Sequence, residues 1–350
     1  MLKKILSLSF YLISLNLLCI AKDPVTAIQI EMLKNMESSK DRFLEYIKLP
    51  KVKSGTKPNS TATNWVYYGT NSSVGEEAIF KEDLELSSYT FYDFDASGAT
   101  FNGGVFCTAV NFKNDTTFEG ANFKGYLKFE GATFNGSANF SDCVFENTCD
   151  FVLASFNKET IFDNSIFGQK IYFHQSIFNQ KATFYKCKFK EIVDFLTTKF
   201  LWDVSFENST FQQIAKFRFT KFSKTTQFNN CLFVQQADFF AAIFGGRTDF
   251  SNASFQQEAT FRWAKFNSGS QLSFNNSNPN QPNQIITFNA FANFKYSNLV
   301  NMGSNASFNG ATYTSEENIK YIPQMPPTTV DYRKQMINIG GQAAKERYAY

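Results

Sequence analysis

The side chains that most often carry catalysis are scarce in this sequence of 350 residues. His174 is its only histidine, and general acid–base or histidine-assisted nucleophilic chemistry would have to use it. No serine or cysteine nucleophile is placed to work with it, and we predict that it is an exposed surface residue. The sequence also has no glycine-rich phosphate loop, metal-ligand cluster or paired-carboxylate signature. It therefore predicts a non-enzymatic protein with no catalytic residue, no metal site and no cofactor.

The first 21 residues have the pattern of a secretory signal peptide. A basic start at Lys3 and Lys4 precedes an apolar run and the small residue Ala21, after which cleavage is expected. An uncleaved membrane anchor is the alternative. Cys19 is a poor lipidation site, because a leucine and not a small residue precedes it. We predict an exported bacterial protein that is periplasmic, part of the cell envelope or secreted.

The rest of the chain is organised around one long repeat. Before the repeat, apolar residues at helical spacing predict an amphipathic helix over 22–49, then a loop over 48–64 and a few irregular strands. The predicted regions are a signal peptide (1–21), an N-terminal helix with a lead-in or capping region (22–100), the repeat (101–266), an irregular last coil with a polar loop (267–331) and a C-terminal tail that could form a helix (332–350).

Phenylalanine defines the repeat. Of 43 phenylalanines, sixteen recur every eleven residues from Phe101 to Phe266, and fourteen more recur every eleven residues from Phe118 to Phe261. The two series interleave at gaps of five and six residues. The predicted core ladder consists of Phe101, Phe112, Phe118, Phe123, Phe129, Phe134, Phe140, Phe145, Phe151, Phe156, Phe162, Phe167, Phe173, Phe178, Phe184, Phe189, Phe195, Phe200, Phe206, Phe211, Phe217, Phe222, Phe228, Phe233, Phe239, Phe244, Phe250, Phe255, Phe261 and Phe266.

Neither a regular helix nor a single strand explains these gaps. On an α-helix, steps of five and six residues would put the two series on different faces, and one long strand would send successive phenylalanines to opposite faces. From Ala121 onward, every residue two positions before a phenylalanine of the first series is small. We therefore predict that each phenylalanine lies on its own short strand and that the chain turns a corner before the next, which makes a β-solenoid.

This pattern resembles the pentapeptide-repeat family, whose units have a central Leu or Phe and a small residue two positions before it. The stretch "FEGANFKGYLKFEGATFNGSANF" at 118–140 is similar to the phenylalanine-rich branch. A sixth residue in every second unit departs from the family pattern. The resemblance implies an all-β solenoid, a right-handed four-sided β-helix with about 22 residues per coil, about seven and a half coils and a rod of about 36 Å.

Stacked coils predict the surroundings of the cysteines. Cys143, Cys187 and Cys231 are 44 residues apart, which puts them in one column but about 10 Å from each other, too far for a disulfide. With Cys149 they occupy small inward positions, and Cys107 makes the number of cysteines after the signal peptide odd. We therefore predict buried free thiols.

The same stacking predicts the outward charges. Asp194, Lys216 and Asp238 are 22 residues apart, and we expect an alternating ladder on one face. A solvated basic patch is predicted from a second set of residues, Lys181, Lys186, Lys188, Lys190, Lys199 and Lys221.

Charge also limits the function. Some members of the resembled family imitate DNA with an acidic surface and bind type II topoisomerases. Residues 101–266 contain 17 Lys and Arg and 15 Asp and Glu, so this surface neither imitates a phosphate backbone nor favours nucleic-acid binding.

The main functional hypothesis is a rigid scaffold for a protein partner. Outward apolar residues are predicted to form one contact stripe, namely Val144, Ile166, Ile177, Leu232 and Ile243. The alternatives are a structural envelope component that self-assembles, and a ligand-binding or enzymatic module in the flanking regions with the repeat as a spacer. Membrane contact is expected only through an uncleaved signal peptide, and partner identity and oligomeric state stay open.

Overall fold

A computed structural model of the chain describes residues 40, 43–44, 47, 51–53, 66–68, 78–92, 94–267, 271–274, 287–288, 292–293, 297, 306–307 and 312–313. The predicted signal peptide and C-terminal tail lie outside the described residues, as do most of the predicted N-terminal helix and of the polar loop.

The described chain is a right-handed β-solenoid of about 9 coils with four parallel sheets and about 22 residues per coil, which confirms the predicted fold class. We call the sheets walls A to D, in the order in which the chain crosses them. From Ile79 onward every strand has two residues and pairs in parallel with strands one coil away. The spacing of the phenylalanines explains this, because each unit is long enough for one short strand and one corner.

The strands of wall A are Ile79–Phe80, Thr100–Phe101, Asn122–Phe123, Val144–Phe145, Ile166–Phe167, Lys188–Phe189, Thr210–Phe211, Leu232–Phe233, Ser254–Phe255, Thr287–Phe288 and Thr312–Tyr313. The strands of wall B are Leu84–Glu85, Val105–Phe106, Leu127–Lys128, Cys149–Asp150, Ile171–Tyr172, Val193–Asp194, Ala215–Lys216, Ala237–Asp238, Ala259–Thr260 and Ala292–Asn293. The strands of wall C are Thr90–Phe91, Asn111–Phe112, Thr133–Phe134, Ser155–Phe156, Ile177–Phe178, Lys199–Phe200, Lys221–Phe222, Ile243–Phe244 and Lys265–Phe266. The strands of wall D are Phe94–Asp95, Thr116–Thr117, Ala138–Asn139, Thr160–Ile161, Ala182–Thr183, Val204–Ser205, Thr226–Gln227, Thr248–Asp249, Leu272–Ser273 and Ala306–Ser307.

The solenoid extends past both ends of the phenylalanine lattice. At the start, Phe80 pairs with Phe101, so the first coil is one residue shorter than the others and falls out of the elevenfold count. At the other end, Ser254 pairs with Thr287, and the extra residues of this coil include the predicted polar loop. The regions predicted as irregular strands and an irregular last coil therefore contain strands of the same four walls.

The core is made of stacked phenylalanine rings. All thirty phenylalanines of the lattice are buried, with no more than 2% of any of them exposed. Along one wall the rings stack nearly parallel, as in Phe211 on Phe233 at 4.7 Å and 2°. Rings from walls B and D meet edge to face across the core, as in Phe206 and Phe217 at 5.5 Å and 77°. Both arrangements are favourable for aromatic rings, which explains why one residue type serves every coil.

Two of the four corners are tight turns. After each phenylalanine that follows a strand of wall B or D, only five residues lead to the next phenylalanine, and the third residue beyond it donates its N–H back to the phenylalanine carbonyl, as in Ser209 N to Phe206 O at 3.1 Å. The residue before that donor has a positive φ in every coil, as in Asn208 at 61°. The six-residue gaps lie at the other two corners, where the extra residue is accommodated.

One phenylalanine from the N-terminal region covers the first coil. Phe43 is fully buried, and its ring lies 5.1 Å from that of Phe80 and 5.5 Å from that of Phe101. It is helical, and Ile47 N donates to its carbonyl at 3.0 Å. Farther on, Lys51–Lys53 pairs with Val66–Tyr68, so a strand lies where the sequence predicted a loop.

Candidate interaction surface

The five residues predicted as one contact stripe do not lie together. Val144, Ile166 and Leu232 face outward from wall A, whereas Ile177 and Ile243 face outward from wall C on the other side of the coil. Val144 and Ile166 are neighbours in adjacent strands, but two coils separate Ile166 from Leu232. All five are half-buried. The structure therefore places them in small groups on two walls and not in one stripe.

A different apolar surface lies at the corner between walls B and C, which we call the BC corner. Its left-handed turn position is occupied in successive coils by Ala109, Gly131, Leu153, Gln175, Thr197, Phe219, Ala241 and Trp263. The equivalent position between walls D and A, the DA corner, is occupied by Gly98, Gly120, Asp142, Asn164, Lys186, Asn208, Asn230 and Asn252.

The two corners differ in how well their residues suit this backbone. Glycine, asparagine and aspartate adopt a positive φ at low cost, and they fill most of the DA corner. Bulky side chains do so only with strain, yet Phe219 and Trp263 stand in this conformation at the BC corner with φ of 55° and 62°. About half of each side chain is exposed, 50% for Phe219 and 49% for Trp263. Neither solubility nor turn geometry explains these residues, which marks the corner as functional.

Neighbouring side chains extend this surface. Phe240 lies against Phe219, with ring centroids 5.6 Å apart at 75°, and the guanidinium of Arg218 lies 5.0 Å over the Phe240 ring. Arg262, which directly precedes Trp263, is exposed. We call Arg218, Phe219, Phe240, Arg262 and Trp263 the aromatic edge. Phe219 and Trp263 are two coils apart, about 10 Å.

An acidic residue fixes the orientation of the aromatic edge. Asp238 Oδ1 accepts a hydrogen bond from Phe240 N at 3.0 Å, and Asp238 Oδ2 lies 3.4 Å from Arg218 Nε. Burial raises the pKa of the Asp238 carboxyl, and the hydrogen bond from Phe240 and the charge of Arg218 oppose this shift. One carboxylate thus holds both the turn and the arginine.

Comparison with known families identifies the repeat. The profile described as "Pentapeptide repeats (9 copies)" matches residues 118–166, within the coils whose geometry is described above. The solenoid is a pentapeptide-repeat domain. No curated protein and no solved structure matched the chain.

The predicted charge ladder is present on wall B of the pentapeptide-repeat domain. Lys216 Nζ lies 3.3 Å from Asp194 Oδ2, and Lys216 is in register with both Asp194 and Asp238. The sequence did not reveal that Asp150, Asp194 and Asp238 each also accept a backbone hydrogen bond from the residue two positions on. These aspartates therefore hold the tight turns of the BC corner.

The prediction of an exposed His174 needs correction. The side chain is 32% exposed, and Nε2 lies 3.1 Å from Oδ2 of the buried Asp194. Its ring meets that of Tyr172 edge to face at 5.4 Å. Stacking of one coil on the next brings these groups together, since His174 and Asp194 belong to adjacent coils. Among the residues that the structure describes, no group of three or more His, Cys, Asp and Glu could hold a metal ion. No helix in the described part of the chain is long and apolar enough to cross a membrane.

The cysteines of the pentapeptide-repeat domain are buried free thiols, as predicted. Cys143 Sγ donates to Phe118 O at 3.0 Å, and Cys187 Sγ donates to Phe162 O at 3.0 Å. Ser165 and Ser209 occupy the same column in the intervening coils and donate in the same way. The thiols therefore serve as small buried donors in a column that alternates cysteine with serine.

We expect these thiols to be unreactive in the folded protein. Burial raises the pKa of all five, and the thiolate is the reactive form. Modification by a thiol reagent such as DTNB should be at least about a thousandfold slower at Cys107, Cys143, Cys149, Cys187 and Cys231 than in the unfolded chain. A cysteine introduced by Gln213→Cys, at an exposed corner, is the control and should react at once. Rapid native-state modification of any of the five would contradict this arrangement.

Proposed function

We propose that this protein is a rigid, non-enzymatic scaffold that presents its aromatic edge to a protein partner. The observation that carries the proposal is the exposure of Phe219 and Trp263 at strained turn positions. Tryptophan, other aromatic residues and arginine are the side chains enriched at the centres of protein interfaces. The aromatic edge contains only these types.

The pentapeptide-repeat domain supports such a role mechanically. Each coil is joined to the next through all four walls, and the stacked rings leave little freedom in the core. Side chains at one corner therefore keep a fixed spacing along the axis. A partner can bind such a surface without the cost of ordering it first.

The proposal includes export from a bacterial cell to the periplasm, the envelope or the exterior. Its support is the basic and apolar pattern of residues 1–21. The partner would then be another exported or envelope protein.

A double substitution tests the contact without harming the fold. Asparagine suits the left-handed turn and already occupies it at Asn208 and Asn252, so Phe219→Asn with Trp263→Asn should keep the free energy of unfolding or raise it by about 1 kcal/mol. The amount of partner recovered by affinity purification from the native cell should fall by about tenfold or more, because the loss of interface aromatics costs over 1 kcal/mol each.

The matched control is Asn208→Gly with Asn252→Gly, the same turn position at the DA corner. It should recover the same partners as the unchanged protein. If the Phe219 and Trp263 variant also recovered them in equal amounts, the aromatic edge would not be the contact surface.

A further inference from the structure

Wall C carries an unusual column of lysines. Lys199, Lys221 and Lys265 face outward, are exposed, and occupy three of four successive strands, with Ile243 in the remaining one. Lys199 and Lys221 are direct neighbours in adjacent strands. The five earlier strands of this wall carry no outward charge.

This column breaks the rule that wall B follows. On wall B, opposite charges alternate and pair, as in Asp194 and Lys216. Like charges directly opposite each other on neighbouring strands destabilise a sheet, and none of the described acidic side chains forms an ion pair with Lys199, Lys221 or Lys265. An external anion would remove this repulsion.

The corner between walls C and D extends the same surface. Lys224 is exposed there, and its Nζ lies 5.7 Å over the ring of Trp202, which is itself 47% exposed. The nearby acid, Asp203, is half-buried and accepts a hydrogen bond from Thr225 N at 2.9 Å. We call Lys199, Lys221, Lys265, Lys224 and Trp202 the lysine face.

We propose that the lysine face binds the surface of an anionic lipid bilayer. Lysine is depleted in protein interfaces but suits phosphate groups as a compact point charge. A wall of two-residue strands in register is flat along the axis, which matches a bilayer better than a single nucleic-acid strand, whose sites are grooves with several stacking aromatics. Tryptophan is favoured at the membrane–water interface, and Trp202 borders the lysines. The inference uses different residues from the proposed function and does not rest on it.

Vesicle co-sedimentation of the full chain tests this inference. The probes are vesicles of phosphatidylcholine alone and of equal amounts of phosphatidylcholine and phosphatidylglycerol. The protein should bind the anionic vesicles more tightly, and the difference should shrink as salt is added. Lys199→Gln, Lys221→Gln and Lys265→Gln together should weaken binding to anionic vesicles by about 100-fold, since each basic residue near such a surface contributes about fivefold.

The matched control removes the same charge from another side of the rod. Lys170→Gln, Lys188→Gln and Lys190→Gln, at wall A and the corner after it, should leave the affinity within about twofold. The N-terminal segment is the same in all variants, so its own affinity for lipid cancels in the comparison. Trp202 fluorescence should also shift to shorter wavelength on binding, and Trp202→Phe should abolish most of that shift.

Three outcomes would overturn the proposal. The first is equal affinity for the two kinds of vesicle, and the second is an equal loss in both triple variants. The third is tighter binding to single-stranded poly(dT) than to anionic vesicles, with loss of that binding in the Lys199, Lys221 and Lys265 variant, which would make the partner a nucleic acid.

Discussion

Replacing Phe211 by aspartate should lower the free energy of unfolding by at least about 4 kcal/mol. Phe211 is fully buried, and its ring is stacked between those of Phe189 and Phe233 at 4.9 and 4.7 Å. Loss of a buried phenylalanine costs about 3–5 kcal/mol, and an unpaired buried carboxylate adds to that cost. Urea denaturation followed by circular dichroism measures the change.

Thr210→Asp is the matched control for this prediction. Thr210 precedes Phe211 on the same strand and faces outward, so the same charge should change the free energy of unfolding by no more than about 0.5 kcal/mol. If Phe211→Asp cost less than about 1 kcal/mol, the inward ladder would not be the source of stability. Equal effects of the two substitutions would mean the same.

The core could be predicted from sequence because its signal is redundant. Thirty phenylalanines mark the lattice, and gaps of five and six are incompatible with a helix or one long strand. The first coil was missed because it is one residue shorter, so that Phe80 pairs with Phe101 at a spacing of 21 residues. A rigid count cannot follow a deletion that the stacked coils absorb at a corner.

The surface was harder to predict for a geometric reason. Residues eleven positions apart, such as Ile166 and Ile177, play the same part in their units but lie on walls A and C. Only residues 22 apart share a wall. The same distinction disperses the predicted basic patch, since Lys186 lies at the DA corner, Lys188 on wall A and Lys199 on wall C.

The aromatic edge had no usable signal in local preferences. Glycine and asparagine at the DA corner indicate a left-handed turn, but a phenylalanine or tryptophan at the matching position does not. The residues that mark the candidate site are those that contradict the local rule. Such conflicts are expected at functional positions, and they become visible only when the two corners are compared coil by coil.

The N-terminal end of the rod gives the second large effect. Phe43→Ala should destabilise the first coil by about 3 kcal/mol, because the ring is fully buried against Phe80, Phe94 and Phe101. Hydrogen exchange should therefore speed up by about 100-fold at Ile79–Phe80 and Leu84–Glu85, while strands in the middle of the rod should keep their protection. Phe106→Ala, which removes a half-buried outward phenylalanine from wall B, is the control and should leave the exchange of the first coil nearly unchanged.

Loss of Phe43 also tests whether the rod can assemble end to end. A repeat rod needs a cap, because an uncovered end offers core surface and strand edges to a second copy. Light scattering should find the Phe43→Ala variant in larger, concentration-dependent species than the unchanged protein. If exchange and size both stayed the same, Phe43 would not be the cap. If the unchanged protein already formed long species, the self-assembling envelope component would become the better hypothesis, since covering the first coil with Phe43 would then not prevent association.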